Sequence, residues 1–242
     1  MMARRSRTAC IVVTAAVLLV TGCSTRSISN SGYPGDHATR NPLYAGELRD
    51  SDVIGPVGDG PIDDALIADA LASAHRLALK PGQKLMVIQS GALAPDQPMV
   101  EALAPRFDVG AMSGIPTGWG SGGVATSRLL RLTAARGGYP TIFCYWGTLE
   151  AAQEAQVTKA VSWVPIAGWM VPDESQRMRI SLKAVLVDVA TGRWSMIMPD
   201  SFEDASLSAL ISRRSVDQGQ VDTLKRQAYE ALARRIALLA QP

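Results

Sequence analysis

The sequence predicts an α/β fold of the α+β kind: a single three-layer-like domain in which flanking helices cover a mixed sheet that contains one long antiparallel hairpin. Three observations carry this expectation. Residues 177–189 alternate, with Met178, Ile180, Leu182, Ala184 and Leu186 on one side and Val185, Val187 and Val189 on the other; Thr191-Gly192 then turns the chain into a second extended run, 193–198. Two further apolar runs of strand length, 84–90 and 140–146, are separated by stretches of helical period. The chain closes on a helix spanning about 216–239, with Leu224, Ala228, Leu232, Ile236 and Leu239 in one stripe.

From the start of the chain, residues 1–22 follow the order of a secretory signal peptide: basic Arg4, Arg5 and Arg7, an apolar run 9–20, then small Thr21 and Gly22 before Cys23. The apolar run falls short of the ~20 residues that a permanent spanning helix needs. The ending Leu19-Val20-Thr21-Gly22-Cys23 resembles the lipobox of bacterial lipoproteins. That resemblance implies cleavage before Cys23 and a diacylglycerol on its sulfur, hence a lipid anchor in the membrane. One acyl chain binds reversibly, at ~0.8 kcal/mol per buried methylene, whereas two or more hold firmly. Ser24 rather than Asp follows the cysteine, which by resemblance to enterobacterial sorting implies the outer membrane, periplasmic face.

Residues 23–60 are rich in Ser, Gly, Pro, Asn and Asp without an apolar period and read as a lipidated flexible tether, which would let the domain stand off the membrane. The globular α/β domain is then 61–242. A helix is expected from Asp63 until Pro81-Gly82, with Leu66, Ile67, Ala70, Leu71, Ala74 and Leu77 as its inner face. Residues 98–104 look helical and 107–112 extended. After a glycine-rich loop, 124–136 form a helix stopped by Gly137-Gly138, and 155–164 are a candidate strand.

Charge excludes one class of partner. The leader takes three basic residues and no acid, so the precursor's formal net charge of +2 becomes about −1, leaving no basic excess to hold nucleic acid. Cys10 leaves with the leader and Cys23 with the lipid. Cys144, inside an apolar run, reads as a small core hydrophobe with no second thiol to pair with.

Leu182-Lys183-Ala184-Val185-Leu186-Val187-Asp188-Val189-Ala190-Thr191-Gly192-Arg193-Trp194 resembles a hairpin of envelope lipoproteins, a group that includes the curli-secretion lipoprotein and the outer-membrane activators of penicillin-binding proteins. In that group a long strand ends in a Val-Asp-x-x-Thr-Gly turn and a terminal helix packs over the sheet. The resemblance implies a docking or assembly module at the cell envelope. The chain departs from it in lacking the amphipathic hairpins that a secretion pore needs.

Catalytic patterns are weak. Gly118-Trp119-Gly120-Ser121-Gly122-Gly123 satisfies G-x-G-x-x-G, with Glu150 as a formal ribose acid, but Gly114 and Pro116 separate it from the preceding strand, and it reads as a loop before a helix. Ser121 lacks a G-x-S-x-G frame, and His37, in the tether, and His75, on the first helix, are the only imidazoles. Two distant histidines and one strand cysteine do not supply a zinc site. No catalytic residue, cofactor or metal is therefore expected. Asp188 is expected to bond the amides of its own turn. The most unusual segment is 162–172, apolar and bounded by Pro165 and Pro172, whose Trp163, Trp169 and Met170 are candidate partner contacts if exposed. The expectation is a membrane-anchored, non-enzymatic binding or assembly factor whose partner is an envelope protein. The competing expectation is a lipid-anchored periplasmic hydrolase with an unrecognised carboxylate or serine site.

Overall fold

Two strands of fifteen residues each, β4 (Thr141–Ala155) and β5 (Glu174–Asp188), pair antiparallel along their whole length and form the spine of a mixed sheet. The computed structural model describes residues 24–31, 41, 43–56, 62–72, 77–116, 124–155, 174–208 and 213–240, and seven strands are present among them. The outer edge of each spine strand is shared by two shorter ones. Along β4, β2 (Lys84–Ser90) pairs in parallel with 141–145 and β1 (Ser24–Ser27) pairs antiparallel with 148–151. Along β5, β6 (Trp194–Ile197) pairs with 184–187 and β7 (Phe202–Ser208) with 174–180. β3 (Asp108–Gly114) lies parallel to β2 on its far side.

The central strands are apolar at both parities because both faces of the sheet are covered. Leu85, Val87, Phe143, Tyr145, Ala184 and Leu186 share one core with Met99 and Leu103 of α3 (Gln97–Leu103) and with Leu224, Ala228, Leu232 and Ile236 of α5 (Arg213–Leu238). Met86, Ile88, Ile142, Cys144, Trp146, Val185 and Val187 face the other way, onto Leu130 and Ala134 of α4 (Thr126–Arg136) and Val53 of α1 (Asp50–Ile54). The architecture is thus three-layered, as the alternating patterns require. Each fully buried Leu, Ile, Val or Phe contributes about 1.5–3 kcal/mol relative to exposure.

The β5–β6 turn forms as its sequence implies. Asp188 Oδ1 accepts from the Thr191 amide and hydroxyl, both at 2.7 Å, and Gly192 takes a φ of +76°, which suits a residue without Cβ. Arg131 of α4 locks the turn from outside, its Nε donating to the Val189 carbonyl and its Nη2 to that of Ala190, each at 2.8 Å.

Four expectations differ from what the structure shows. Within 23–60, the stretch read as a tether, Ser24–Ser27 form β1, Ile28, Ser29, Leu48 and Val53 are buried, and α1 packs under the sheet. Serine-rich composition misleads here because a four-residue edge strand needs backbone pairing more than side-chain burial. The expected first helix forms as α2 (Asp64–Ala72), but Leu66, Ile67 and Leu71 are 49–71% exposed instead of forming an inner face. Both sheet faces are already covered by the other helices; among the described residues of that stretch, Leu77 and Leu79, beyond α2, reach the core. The strand at 140–146 continues to Ala155, across Glu150, Gln153 and Glu154, whose helical propensity is overridden by pairing with β5. β7 had no strand signal. Cys23, His37, His75, Gly118, Trp163, Trp169 and Met170 lie outside the described residues, as does most of the candidate strand 155–164.

Ile28 discriminates an integral N-terminal strand from a tether. It is wholly buried, and a Cβ on Gly147 would come within 2.9 Å of its side-chain carbons. Ile28→Ala is expected to lower stability by roughly 2–5 kcal/mol in urea unfolding, against ~0.5 kcal/mol or less for a position in a solvated linker.

Candidate functional site

In the order β3-β2-β4, the chain leaves β2 to one side through α3 and returns to the other through α4, on opposite faces of the sheet. The crevice beyond the carboxyl ends of such strands is where open α/β sheets bind ligands. Here the N-terminal segment occupies it. Ser29 Oγ donates to the Ser90 carbonyl (2.6 Å) and accepts from Gln89 Nε2 (3.1 Å), while the Leu48 amide donates to Ser90 Oγ (2.8 Å). Trp146 Nε1 donates to the Leu48 carbonyl at 2.7 Å. Gly91, with φ +78°, lets Tyr44 and the Gly46 carbonyl come so close that an added Cβ would meet them at 2.8 and 3.0 Å. Lys183 completes the closure: its ammonium pairs with Asp50 of α1 at 2.7 Å and lies 4.9 Å from the centre of the Trp146 ring.

Beside that segment lies a partly buried polar cluster. Asp96 stands at the N-cap of α3, yet its carboxylate makes no capping bond. It turns instead toward α5, where Oδ2 accepts from Lys225 Nζ (2.9 Å) and from the Tyr229 hydroxyl (2.5 Å). The Tyr145 hydroxyl donates to Gln89 Oε1 at 2.5 Å, and the same oxygen accepts from the Asp96 amide at 2.7 Å. Tyr145 and Tyr229 meet edge to face with ring centres 5.7 Å apart. Burial pushes both phenols well above the usual tyrosine range, and the Asp96 charge adds to it in each. They are therefore neutral donors at physiological pH. The cluster ties together α5, the start of α3, β2, β4 and the N-terminal segment; Gln89 Oε1 and Asp96 Oδ2 each accept two hydrogen bonds from within the chain, and what the cluster offers chemically is orientation of these elements.

Elsewhere, residues considered for chemistry are found in structural roles. Cys144 is fully buried, and its thiol is pushed up chiefly by that burial, so it is not a ready nucleophile. Glu150 is a strand residue whose carboxylate accepts from Arg179 Nε across the β4–β5 ladder at 2.9 Å. An open cleft of about 460 Å³ lies at the opposite end of the sheet, lined by Leu77, Lys80, Gln83, Thr141, Asp188 and Arg193 among others. Its Gln83 amide donates to Thr141 Oγ1 at 2.7 Å, and its acid, Asp188, holds the β5–β6 turn.

The structure places the chain neighbours of the sequence-derived candidates. Ser24, next to Cys23, pairs with Ala151, and the residues flanking 156–173, which include Trp163, Trp169 and Met170, are Ala155 and Glu174 at that same end. The polar cluster escaped sequence reasoning. Its signal was faint: Gln89 and Tyr145 interrupt apolar strands, and Lys225 and Tyr229 sit at helical spacing of four residues beside the terminal leucine stripe.

The family model described as YafT bacterial lipoprotein matches residues 49–238, well over half of the chain. The chain belongs to that family and is a bacterial lipoprotein. No curated protein matches it. Among the described residues no helix is long and apolar enough to cross a membrane.

The cluster sets a pH response. Unfolded tyrosines release their protons near pH 10, whereas the folded phenols hold theirs to higher pH, so the contribution of these two groups to stability is fully present below about pH 10 and is lost as pH rises further. Thermal midpoints measured from pH 8 to 11 are expected to drop at the alkaline end, and less steeply when Tyr145 and Tyr229 are both replaced by Phe. Tyr229→Phe alone, removing a bond to a charged acceptor, is expected to cost roughly 1.5–3 kcal/mol at pH 7. An alkaline slope unchanged in the double variant would show that other groups set it.

Proposed function

We propose that this member of the YafT bacterial lipoprotein family is anchored through lipid on Cys23 at the periplasmic face of the outer membrane, where it acts as a non-enzymatic binding or assembly factor for cell-envelope components. The observation that carries the non-enzymatic part of the reading is the filled crevice: the strand ends that would cradle a small ligand are capped by Ser29, Tyr44 and Leu48 of the same chain. Binding then falls to outer surfaces. The partner is an envelope protein, and Trp163, Trp169 and Met170 are the side chains proposed to meet it, because Trp and Met are enriched at interface centres.

The anchor is tested by metabolic labelling with a palmitate analogue followed by density separation of membranes. Wild type is expected to carry label and to sediment with the outer membrane, and Cys23→Ala to carry none; an unlabelled wild type would overturn the anchor. The partner is tested by placing a photo-crosslinking residue at position 169 in living cells. A discrete adduct with one envelope protein is expected, and its absence would remove the partner role from that segment.

A further inference from the structure

We infer that the domain is seated directly on the bilayer surface, with the β1 end of the sheet toward the lipid headgroups, instead of standing off on a tether. The inference rests on the lipidation of Cys23 proposed above and adds how the anchored domain is held. Cys23 is covalently the residue before Ser24, about 3.8 Å away between Cα atoms. Ser24 is already in the sheet, opposite Ala151, so no free linker separates the acylated residue from the folded domain.

β1 is tied down where it leaves the anchor. Ser27 Oγ donates to Glu47 at 2.6 Å, Ile28 is wholly buried against Gly147 of β4, and Ser29 is bonded to β2 in the crevice. Peeling the strand away to make a linker would expose Ile28 and unpair that buried hydroxyl, which opposes detachment.

The direction follows from the register. β1 runs antiparallel to β4, so stepping back from Ser24 toward Cys23 corresponds to stepping forward on β4 from Ala151. The β4–β5 ladder continues in that direction to Ala155 and Glu174, roughly 13 Å beyond the level of Ser24. A headgroup layer is only about 5–8 Å deep on each side of the hydrocarbon. A domain pinned at Cys23 therefore brings this end of the ladder to the headgroups. The opposite end, where β2, β3 and β4 begin, is about 46 Å from Ala155 along the strands and faces the periplasm.

The test uses the full lipidated protein in vesicles of phosphatidylethanolamine and phosphatidylglycerol that carry a nitroxide quencher on a fraction of headgroups. A fluorophore is attached through Thr25→Cys, an exposed position on β1, or through Asp108→Cys, exposed at the far end; buried Cys144 is shielded from the reagent. Strong quenching at 25 with none at 108 is expected. A flexible twenty-residue Gly-Ser insertion between Cys23 and Ser24 should abolish quenching at 25 while the protein still floats with the vesicles. Flotation without quenching at 25, or with stronger quenching at 108, overturns the seating while leaving the anchor intact. Failure of the wild type to float overturns the anchor and the seating with it.

Discussion

The pairing of β4 with β5 is the constraint on which the rest of the molecule depends. Fifteen residues on each side are in register, and every other strand except β3 pairs directly with one of the two. A spine buried on both faces must be apolar at both parities, and Phe143, Tyr145, Leu182 and Leu186 on one face and Ile142, Cys144, Val185 and Val187 on the other meet that demand. Covering both faces then requires a helical layer on each side, which is why α3 and α5 lie opposite α1 and α4.

The length of β4 has a further consequence. β2 uses only its first part, so the same edge beyond Tyr145 would be left with unpaired backbone groups. β1 pairs with 148–151 of that remainder and is followed by Ile28 against Gly147, while Ser29 and Leu48 lie over the end of β2 and Leu48 against Trp146 of β4. Residues 24–31 and 44–54 are thus part of the domain's closure. The polar cluster of Gln89, Asp96, Tyr145, Lys225 and Tyr229 sits against this closure and couples it to the terminal helix.

Such an arrangement bears on how a lipoprotein of this family works. In the proposed reading the anchor and the closure are neighbours in the chain, so the bilayer and the folded core are mechanically linked through β1. A partner at the envelope would meet a domain of fixed height and orientation, a different situation from a module that searches on a long linker.

By itself the sequence determined the three-layer class, the β5–β6 hairpin with its Asp188 to Gly192 turn, the inward stripe of the terminal helix, the burial of Cys144 and the lipoprotein character of the chain. Each of these is written in local periodicity, in a turn signature or in a short motif read within a few residues. Tertiary structure alone decided that Ser24–Ser27 belong to the sheet, that α2 keeps Leu66 and Leu71 exposed, that β4 continues through helix-favouring residues to Ala155, and that Asp96 turns from its helix to Lys225 and Tyr229. These outcomes depend on which edges and faces remain open after the spine has formed. Open edges and faces are properties of contacts between residues some 50 to 130 positions apart, such as Asp96 and Tyr229 or Ser29 and Ser90, and no local pattern records them.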